Sequence, residues 1–367
     1  MSAEPGKTET NPFAVNEEWL ATYREPIIDP DLPIVDPHHH LWDNRGFRYL
    51  FADLLADTGS GHNIRATVFL QCRSMYRADA DAALAPVGET EFVNGAAAMS
   101  ASGLYGPTRL CAGIVGFADL TLGAGVERVL EAHLRAAGDR FKGIRNSSVW
   151  DEDPSVKTVP GEIPRGLLLD GKFREGFARL ARHGLSFDAW HFHHQIPDLI
   201  DLARAFPDTV IVLNHIGGPI GIRAYAGKRA DVFRIWADHI AALARCPNVY
   251  VKLGGMGMNV MGFGFDDYDR HKVPVSSETL AAAWRPSIEH CIGAFGVDRC
   301  MFESNFPVDK GTCSYAVLWN AFKRLAAGYS PAAKQALFSA TARRAYRLPE
   351  GLSDLPKKEN MESRAKR

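Results

Sequence analysis

The run "DPHHHLWD", from Asp36 to Asp43, contains three consecutive histidines. It follows the apolar run "PIV", which predicts a short β-strand that ends at the histidines. Successive side chains of a strand point to opposite faces, so Asp36, His38 and His40 are expected to share one face and His39 the other. Because imidazole and carboxylate groups bind metal ions and transfer protons, this group is a candidate active site.

The composition indicates a globular protein with a small-molecule substrate. The chain has 367 residues, of which 46% are hydrophobic and 23% are charged, as is usual for soluble domains. Its 42 Lys and Arg residues balance 43 Asp and Glu residues, so the net charge gives no reason to expect nucleic acid or a membrane as partner. The composition is compatible with a homo-oligomer.

The cysteines and the N-terminal sequence bear on the cellular compartment. Six cysteines are scattered without CxxC spacing, which favours buried free thiols. The N-terminal sequence lacks a basic segment followed by an apolar one, and no apolar run reaches about 18 residues. We therefore expect a cytoplasmic protein.

Eight apolar runs of strand length alternate with amphipathic segments along the chain. The predicted strands cover 33–36, 65–72, 110–118, 141–145, 185–190, 209–214, 249–255 and 299–304. Predicted helices between them cover 125–138, 173–184, 196–207 and 229–247. Eight strand–helix repeats favour a single-domain (β/α)8 TIM barrel over an open doubly wound sheet. We expect an N-terminal extension at 1–30, the barrel at 31–350 and a basic C-terminal helical tail at 351–367.

In such a barrel the reactive groups collect at the carboxyl ends of the strands. Reading those positions gives His38, His40, Arg73, Tyr76, Asn146, His191, His193, His194, His215, Glu303, Ser304 and Asn305. We expect one histidine of the "HFHH" run to enter the site. No GxGxxG or GxxxxGK[ST] motif follows a strand, so the sequence does not support nucleotide binding.

Five motifs in this order resemble the amidohydrolase-related branch of the amidohydrolase superfamily. They are "DPHHHLWD", "VLNHIGGP", "VYVKLGG", "MFESNFPVD" and "ALFSATARRAYRL", and they span about residues 33–348. That branch contains 2-pyrone-4,6-dicarboxylate lactonase and sugar-lactone hydrolases. The resemblance implies a barrel hydrolase in which the His-x-His pair is His38 and His40 and the histidine of the sixth strand is His215.

The chain departs from the family pattern at the eighth strand. The family usually has an aspartate in a run like "GSDWP", and Asn305 occupies that place here. A neutral amide is not a general base, although it can form hydrogen bonds. Glu303 lies two residues earlier, on the same face of the strand, and is the candidate replacement. The alternative is that Glu303 is a buried charge paired with Lys252 or with an arginine deeper in the barrel.

The leading functional hypothesis is a hydrolase that opens a lactone or a related cyclic or ester substrate with activated water. Glu303, His215, Asn305 and His193 are the candidate catalytic residues, and Arg73, Tyr76 and Asn146 the candidate substrate-binding residues. His38, His40 and His215 are candidate ligands of one Zn or Mn ion, with metal-independent catalysis as the alternative. The rival functions are a non-oxidative decarboxylase on the same barrel and a catalytically silent ligand-binding barrel.

Overall fold

The computed structural model describes residues 15–44, 47–156 and 158–351. Its main sheet has eight parallel strands in sequence order. They are β1 Pro33–His39, β2 Asn63–Leu70, β3 Arg109–Gly116, β4 Phe141–Arg145, β5 Ser186–Ala189, β6 Ile211–Leu213, β7 Val249–Leu253 and β8 Cys300–Phe302. All eight predicted strands are confirmed. A short antiparallel hairpin, Trp42–Asn44 with Phe47–Tyr49, follows β1.

Helices follow the strands around the sheet. They are α1 Glu17–Ala21, α2 Phe51–Thr58, α3 Val87–Ala101, α4 Glu127–Ala137, α5 Gly171–Phe177, α6 Ile196–Ala205, α7 Arg229–Leu243, α8 Ser277–Phe295, α9 Tyr315–Leu325, α10 Pro331–Gln335 and α11 Thr341–Ala345. The predicted helix over 173–184 is too long, because the α-helix ends at Phe177 and only a 3₁₀ turn continues at Ala181–His183. No described helix is long and apolar enough to cross a membrane.

The barrel closes between β1 and the end of β8. The Asn305 amide N–H donates to the His38 carbonyl at 2.9 Å, and the His40 N–H donates to the Phe306 carbonyl at 2.8 Å. Closure therefore places the histidine run directly beside the residues that follow β8. The predicted TIM barrel is confirmed.

Apolar side chains from the strands fill the amino-terminal part of the barrel interior. This layer includes Val35, Val68, Val115, Val212 and Met301. Tyr346, just after α11, packs against the same layer and is completely buried. The C-terminal helix thus closes the barrel from below, and the polar site lies at the other end.

The chain before β1 packs on α9. The Asn320 side-chain amide donates to Glu25 and to the Pro26 carbonyl, and the Lys323 ammonium donates to the carbonyls of Ile28 and Asp29. The described part of the predicted 1–30 extension is therefore attached to the barrel. Residues 1–14, and the predicted tail beyond Gly351, lie outside the described residues.

Tyr346→Phe is expected to lower the free energy of unfolding by about 1.5–3 kcal/mol, the usual contribution of a hydrogen bond to a charged group. The Tyr346 hydroxyl donates to Asp188 Oδ1 at 2.8 Å inside the barrel. Chemical denaturation measures the change. Tyr250→Phe is the control, because Tyr250 is half-buried and its hydroxyl makes no hydrogen bond within the described residues. Equal effects of the two substitutions would contradict the expectation.

Candidate active site

An irregularity at Pro37 decides which side chains of β1 enter the barrel. Pairing with β2 shifts register between Asp36 and His39. Asp36 accepts a hydrogen bond from the Tyr315 hydroxyl of α9 at 2.9 Å, while Val35 packs in the interior. The prediction that Asp36 shares a face with His38 is therefore wrong, because strict alternation fails at the bulge. Asp36 instead supports β1 from the side of the helices.

His38, His215 and Glu303 meet at the carboxyl ends of β1, β6 and β8. The Nδ1–H of His215 donates to Glu303 Oε1 at 2.7 Å, and the His215 backbone N–H donates to the same oxygen at 3.1 Å. His38 Nδ1 lies 2.6 Å from Glu303 Oε2, a close approach without hydrogen-bond alignment. The rings of His38 and His215 have centroids 4.5 Å apart. Glu303 therefore lies between the two histidines.

Two glycines after β7 make room for this group. A Cβ on Gly254 would lie 2.5 Å from Glu303 Cγ, and a Cβ on Gly255 would lie 2.3 Å from His215 Nδ1. Gly255 also has a φ of +67°, which side chains rarely adopt. The "GG" of "VYVKLGG" is thus explained by the approach of β7 to Glu303 and His215.

Both histidines of the cluster are held neutral. Burial, together with the positive charge of Lys252, lowers the pKa of His38 well below its usual range. Burial, together with Arg145 and Lys252, does the same to His215. The pKa of Glu303 is raised to about 8 by burial, against the opposing effect of Lys252. The site therefore contains two neutral imidazoles beside the Glu303 carboxyl group.

A second polar layer lies beneath the cluster. Asp188 Oδ1 accepts hydrogen bonds from Lys252 Nζ, Asn214 Nδ2 and the Tyr346 hydroxyl, each at 2.8 Å. The direct ion pair of Lys252 is thus with Asp188, and Glu303 lies against the histidines. The alternative of a Glu303–Lys252 ion pair is not what the structure shows. The charge of Lys252 is therefore balanced by Asp188, and the carboxylate of Glu303 contacts His38 and His215.

Arg145, at the end of β4, connects the cluster to a cavity. Its Nη1 lies 3.2 Å from His38 Nε2, and its Nη2 donates to the Gln71 carbonyl. Arg145 also lines a cavity of about 380 Å³ over the ends of β2 to β4. Three buried polar atoms of its lining have no hydrogen-bond partner among the described residues, namely Gln71 Oε1, Arg145 Nε and Ser147 Oγ. This cavity is the candidate substrate-binding site.

Two of the three predicted substrate-binding residues, Arg73 and Asn146, line this cavity. Tyr76 is not among the lining residues; burial and the charge of Glu89, in the first turn of α3, raise its pKa. Arg73 and Asn146 are thus in a position to contact a ligand in the cavity, and substrate binding by either residue stays a prediction.

Other predicted site residues make different contacts. His40 Nδ1 donates to the Leu70 carbonyl at 2.8 Å, and its ring stacks on Trp42. The Asn305 side-chain amide donates to Asp309 Oδ1 at 2.8 Å. Asn305 is therefore tied to a buried carboxylate, whereas His40 lies beside His38 with ring centroids 5.0 Å apart.

The "HFHH" run supplies no member of the cluster. His193 accepts a hydrogen bond from the Ile220 N–H at 3.5 Å and packs against Tyr225. His191 is fully buried, and neither ring nitrogen has a partner among the described residues. From this strand it is Trp190 that reaches the site, with its ring 4.7 Å from that of His215. The catalytic role of His193 stays a prediction.

The donor set of the cluster fits a divalent metal ion. His38, His215 and Glu303 can each offer one ligand atom, and these atoms lie within 4.8 Å of one another. Two imidazoles and a carboxylate suit Zn or Mn. His40 is not part of this set. The side-chain nitrogens of Lys252 and Arg145 each lie 3.2 Å from a ring nitrogen of His38. The positive charges of these two side chains therefore disfavour the binding of a metal cation.

The sequence analysis did not identify Arg145 or Asp188, and it named Lys252 only as an alternative partner of Glu303. Each is a charged residue within or at the end of an otherwise apolar strand, in "FKGIR", "LSFDAW" and "VYVKLGG". A charge in a buried strand needs a partner, which is the signal that could have identified these residues. Their partners come from distant strands, so the pairing itself required the structure.

Comparisons with known proteins bear on the family of this chain. Two sequence relatives cover most of the chain: the uncharacterised protein y4mH of Sinorhizobium fredii is 34% identical and covers 87% of this chain and 99% of its own length. L-fucono-1,5-lactonase of Burkholderia multivorans is 26% identical and covers 86% of this chain and 96% of its own length.

Solved structures share the fold. An amidohydrolase from Burkholderia multivorans with bound zinc has a TM-score of 0.65 at 24% identity, covering 86% of this chain and 99% of that chain. A putative 2-pyrone-4,6-dicarboxylic acid hydrolase from Pseudomonas putida has a TM-score of 0.57 at 17% identity. The match covers 86% of this chain and 98% of that chain. A dihydroxybenzoic acid decarboxylase from Polaromonas with bound manganese has a TM-score of 0.52 at 14% identity. The match covers 86% of this chain and 97% of that chain. The amidohydrolase family model matches residues 35–348, and the chain belongs to the amidohydrolase family.

Proposed function

We propose that the protein is a hydrolase that opens a lactone or a related cyclic ester with water. One observation carries the proposal: Glu303 is completely buried and accepts the Nδ1–H of His215, whose side chain keeps 3% exposure. Of the two side chains, only that of His215 has any exposed surface. The hydrogen bond leaves the lone pair on His215 Nε2, the arrangement of a histidine oriented by a carboxylate.

The chemistry follows from these positions. His215 Nε2 removes a proton from water as the water oxygen attacks the lactone carbonyl carbon. The Arg145 guanidinium, between the cavity and His38, stabilises the negative charge that develops on the carbonyl oxygen. When the bond between the carbonyl carbon and the ring oxygen breaks, His215 returns its proton to the leaving oxygen. The product is a hydroxy acid.

The sequence relatives support this reaction over its rivals. The sequence relative that carries an activity name is a lactonase, and decarboxylases share only the fold. Two arginines in the cavity, Arg73 and Arg145, also suit an aromatic carboxylate, which keeps decarboxylation as the second candidate.

A substrate panel separates the candidates. It contains L-fucono-1,5-lactone, D-glucono-1,5-lactone, 2-pyrone-4,6-dicarboxylate and dihydroxybenzoates, with acid release and carbon dioxide measured in parallel. We expect acid release from at least one lactone, lost in Glu303→Gln. Carbon dioxide release without ring opening would establish the lyase reaction instead. Binding without either product would favour the silent barrel.

A metal ion bound here would be held by His38, His215 and Glu303 and would supply a Lewis acid that polarises the carbonyl; His215 would then use its lone pair as a ligand and would not act as the base described above. We propose one exchangeable Zn or Mn ion, because the neighbouring cations Arg145 and Lys252 weaken its binding. Elemental analysis of protein purified without chelator is expected to show this ion.

The metal prediction has a matched control. We expect His215→Ala to abolish metal binding and His39→Ala to keep it, since His39 bonds Thr67 instead of the cluster. Dialysis against chelator should remove the ion while circular dichroism stays unchanged. Full metal content in the His215 variant would contradict the assignment of ligands.

A further inference from the structure

The loop that follows β2 has an unusual backbone. Arg73 has a φ of +64° and Met75 a φ of +54°, both in the left-handed region that side chains other than glycine rarely adopt. Two such residues within three positions persist only where surrounding contacts hold them. The contacts of this loop therefore identify what fixes Arg73.

Glu89, in the first turn of α3, provides one of these contacts. Its Oε1 accepts the backbone N–H of Cys72 at 2.9 Å and that of Ser74 at 2.8 Å. A single carboxylate oxygen thus binds the amides on both sides of Arg73. Glu89 is 1% exposed, and its Oε2 has no hydrogen-bond partner among the described residues.

Gly88 provides the second contact. A Cβ at this position would lie 2.5 Å from the Met75 carbonyl oxygen and 2.8 Å from the Arg77 backbone nitrogen. Only glycine allows the start of α3 to approach the loop this closely. Helix α3 therefore holds the loop through backbone contact at Gly88 and through the Glu89 carboxylate.

The held residue faces the candidate substrate cavity. Arg73 lines this cavity together with Arg145, and its guanidinium lies 3.7 Å from the position that a Cβ on Gly161 would take. The cavity lining also contains two carboxylates: Asp119 accepts hydrogen bonds from Thr121, and Glu162 is exposed, as Arg73 is. A guanidinium is a planar donor that suits a carboxylate.

We infer that Glu89 is a positioning residue that holds Arg73 to bind a carboxylate group of the substrate or of the ring-opened product. The inference rests on the proposed hydrolase function, which yields a hydroxy acid, but its test needs no turnover. Glu89 acts through the loop backbone and does not itself reach the ligand.

The test measures citrate binding to the full chain by calorimetry, with citrate as the carboxylate probe. We expect Arg73→Ala and Glu89→Ala each to weaken binding at least about tenfold, the scale of a lost charge-assisted contact. The double variant should be no weaker than either single one, because both changes remove the same interaction. Glu91→Ala is the matched control on the same helix; Glu91 is exposed and pairs with Arg77, so citrate affinity should stay unchanged.

Glu89→Gln separates positioning from charge. The glutamine Oε1 can accept the same two N–H groups, and its amide nitrogen replaces an oxygen that accepts none, so citrate affinity should stay within about threefold of the unmodified protein. Hydrogen exchange of residues 72–76 should rise in Glu89→Ala and not in Glu89→Gln. The inference is overturned if citrate does not bind, if the losses add in the double variant, or if Glu89→Gln weakens binding as much as Glu89→Ala.

Discussion

Glu303→Gln is expected to lower kcat/KM for the best lactone by about 10³–10⁴-fold while the barrel stays folded. The amide keeps the shape of the side chain but cannot bind His38 and His215 as a carboxylate does, and loss of a carboxylate that orients a catalytic histidine has effects of this size elsewhere. Steady-state kinetics measure the loss, and circular dichroism with thermal melting verifies the fold. Activity within tenfold of the unmodified protein would remove Glu303 from the mechanism.

The pH profile gives an independent view of the same residue. The ionised form of Glu303 is required, so kcat/KM should fall as the pH drops through the pKa of this group, which burial raises to about 8. The residual activity of Glu303→Gln should lack this acidic limb. Asn305→Asp should not restore activity to the Glu303 variant, because the side chain at 305 points to Asp309.

The second large effect is expected at His38 and His215. Alanine at either position should lower kcat/KM by at least about 100-fold, since each removes an imidazole that contacts Glu303. The same assay on His39→Ala should show little change per folded molecule. His39 bonds the Thr67 hydroxyl at 2.8 Å on the side of the helices, so its loss costs stability instead.

His39→Ala is therefore the matched control for its neighbour His38. Thermal melting should show a lower Tm for the His39 variant, because a completely buried side chain is truncated. Equal losses of kcat/KM in all three variants would mean that β1 does not separate His38 from His39.

Much of this architecture follows from periodic patterns in the sequence. The eight strands are short apolar runs, and helices of 3.6-residue period join them, so length and pattern suffice to predict the barrel. The strand ends then identify His38, His215 and Glu303, because parallel strands deliver their carboxyl ends to one face. These are local properties that a single chain displays directly.

The parts that could not be predicted depend on contacts between distant segments. The position of Asp36 depends on a register shift at Pro37, which alternation alone does not reveal. The pairing of Lys252 with Asp188, and the orientation of Asn305 toward Asp309, depend on which strands and loops become neighbours. Sequence pattern gives the face of a side chain but not its partner.

The hydrogen bond from Tyr346 to Asp188 has a consequence for protein synthesis. All eight strands precede Tyr346 in the chain, so a nascent polypeptide whose strands have emerged from the ribosome still lacks the residue that closes the barrel from below. Until Tyr346 arrives, Asp188 lacks one of its three donors and Lys252 lacks the ring that packs over it. Chains that terminate just before Tyr346 are therefore expected to be degraded by proteases, because Asp188 and Lys252 inside the barrel lack the contacts that Tyr346 makes.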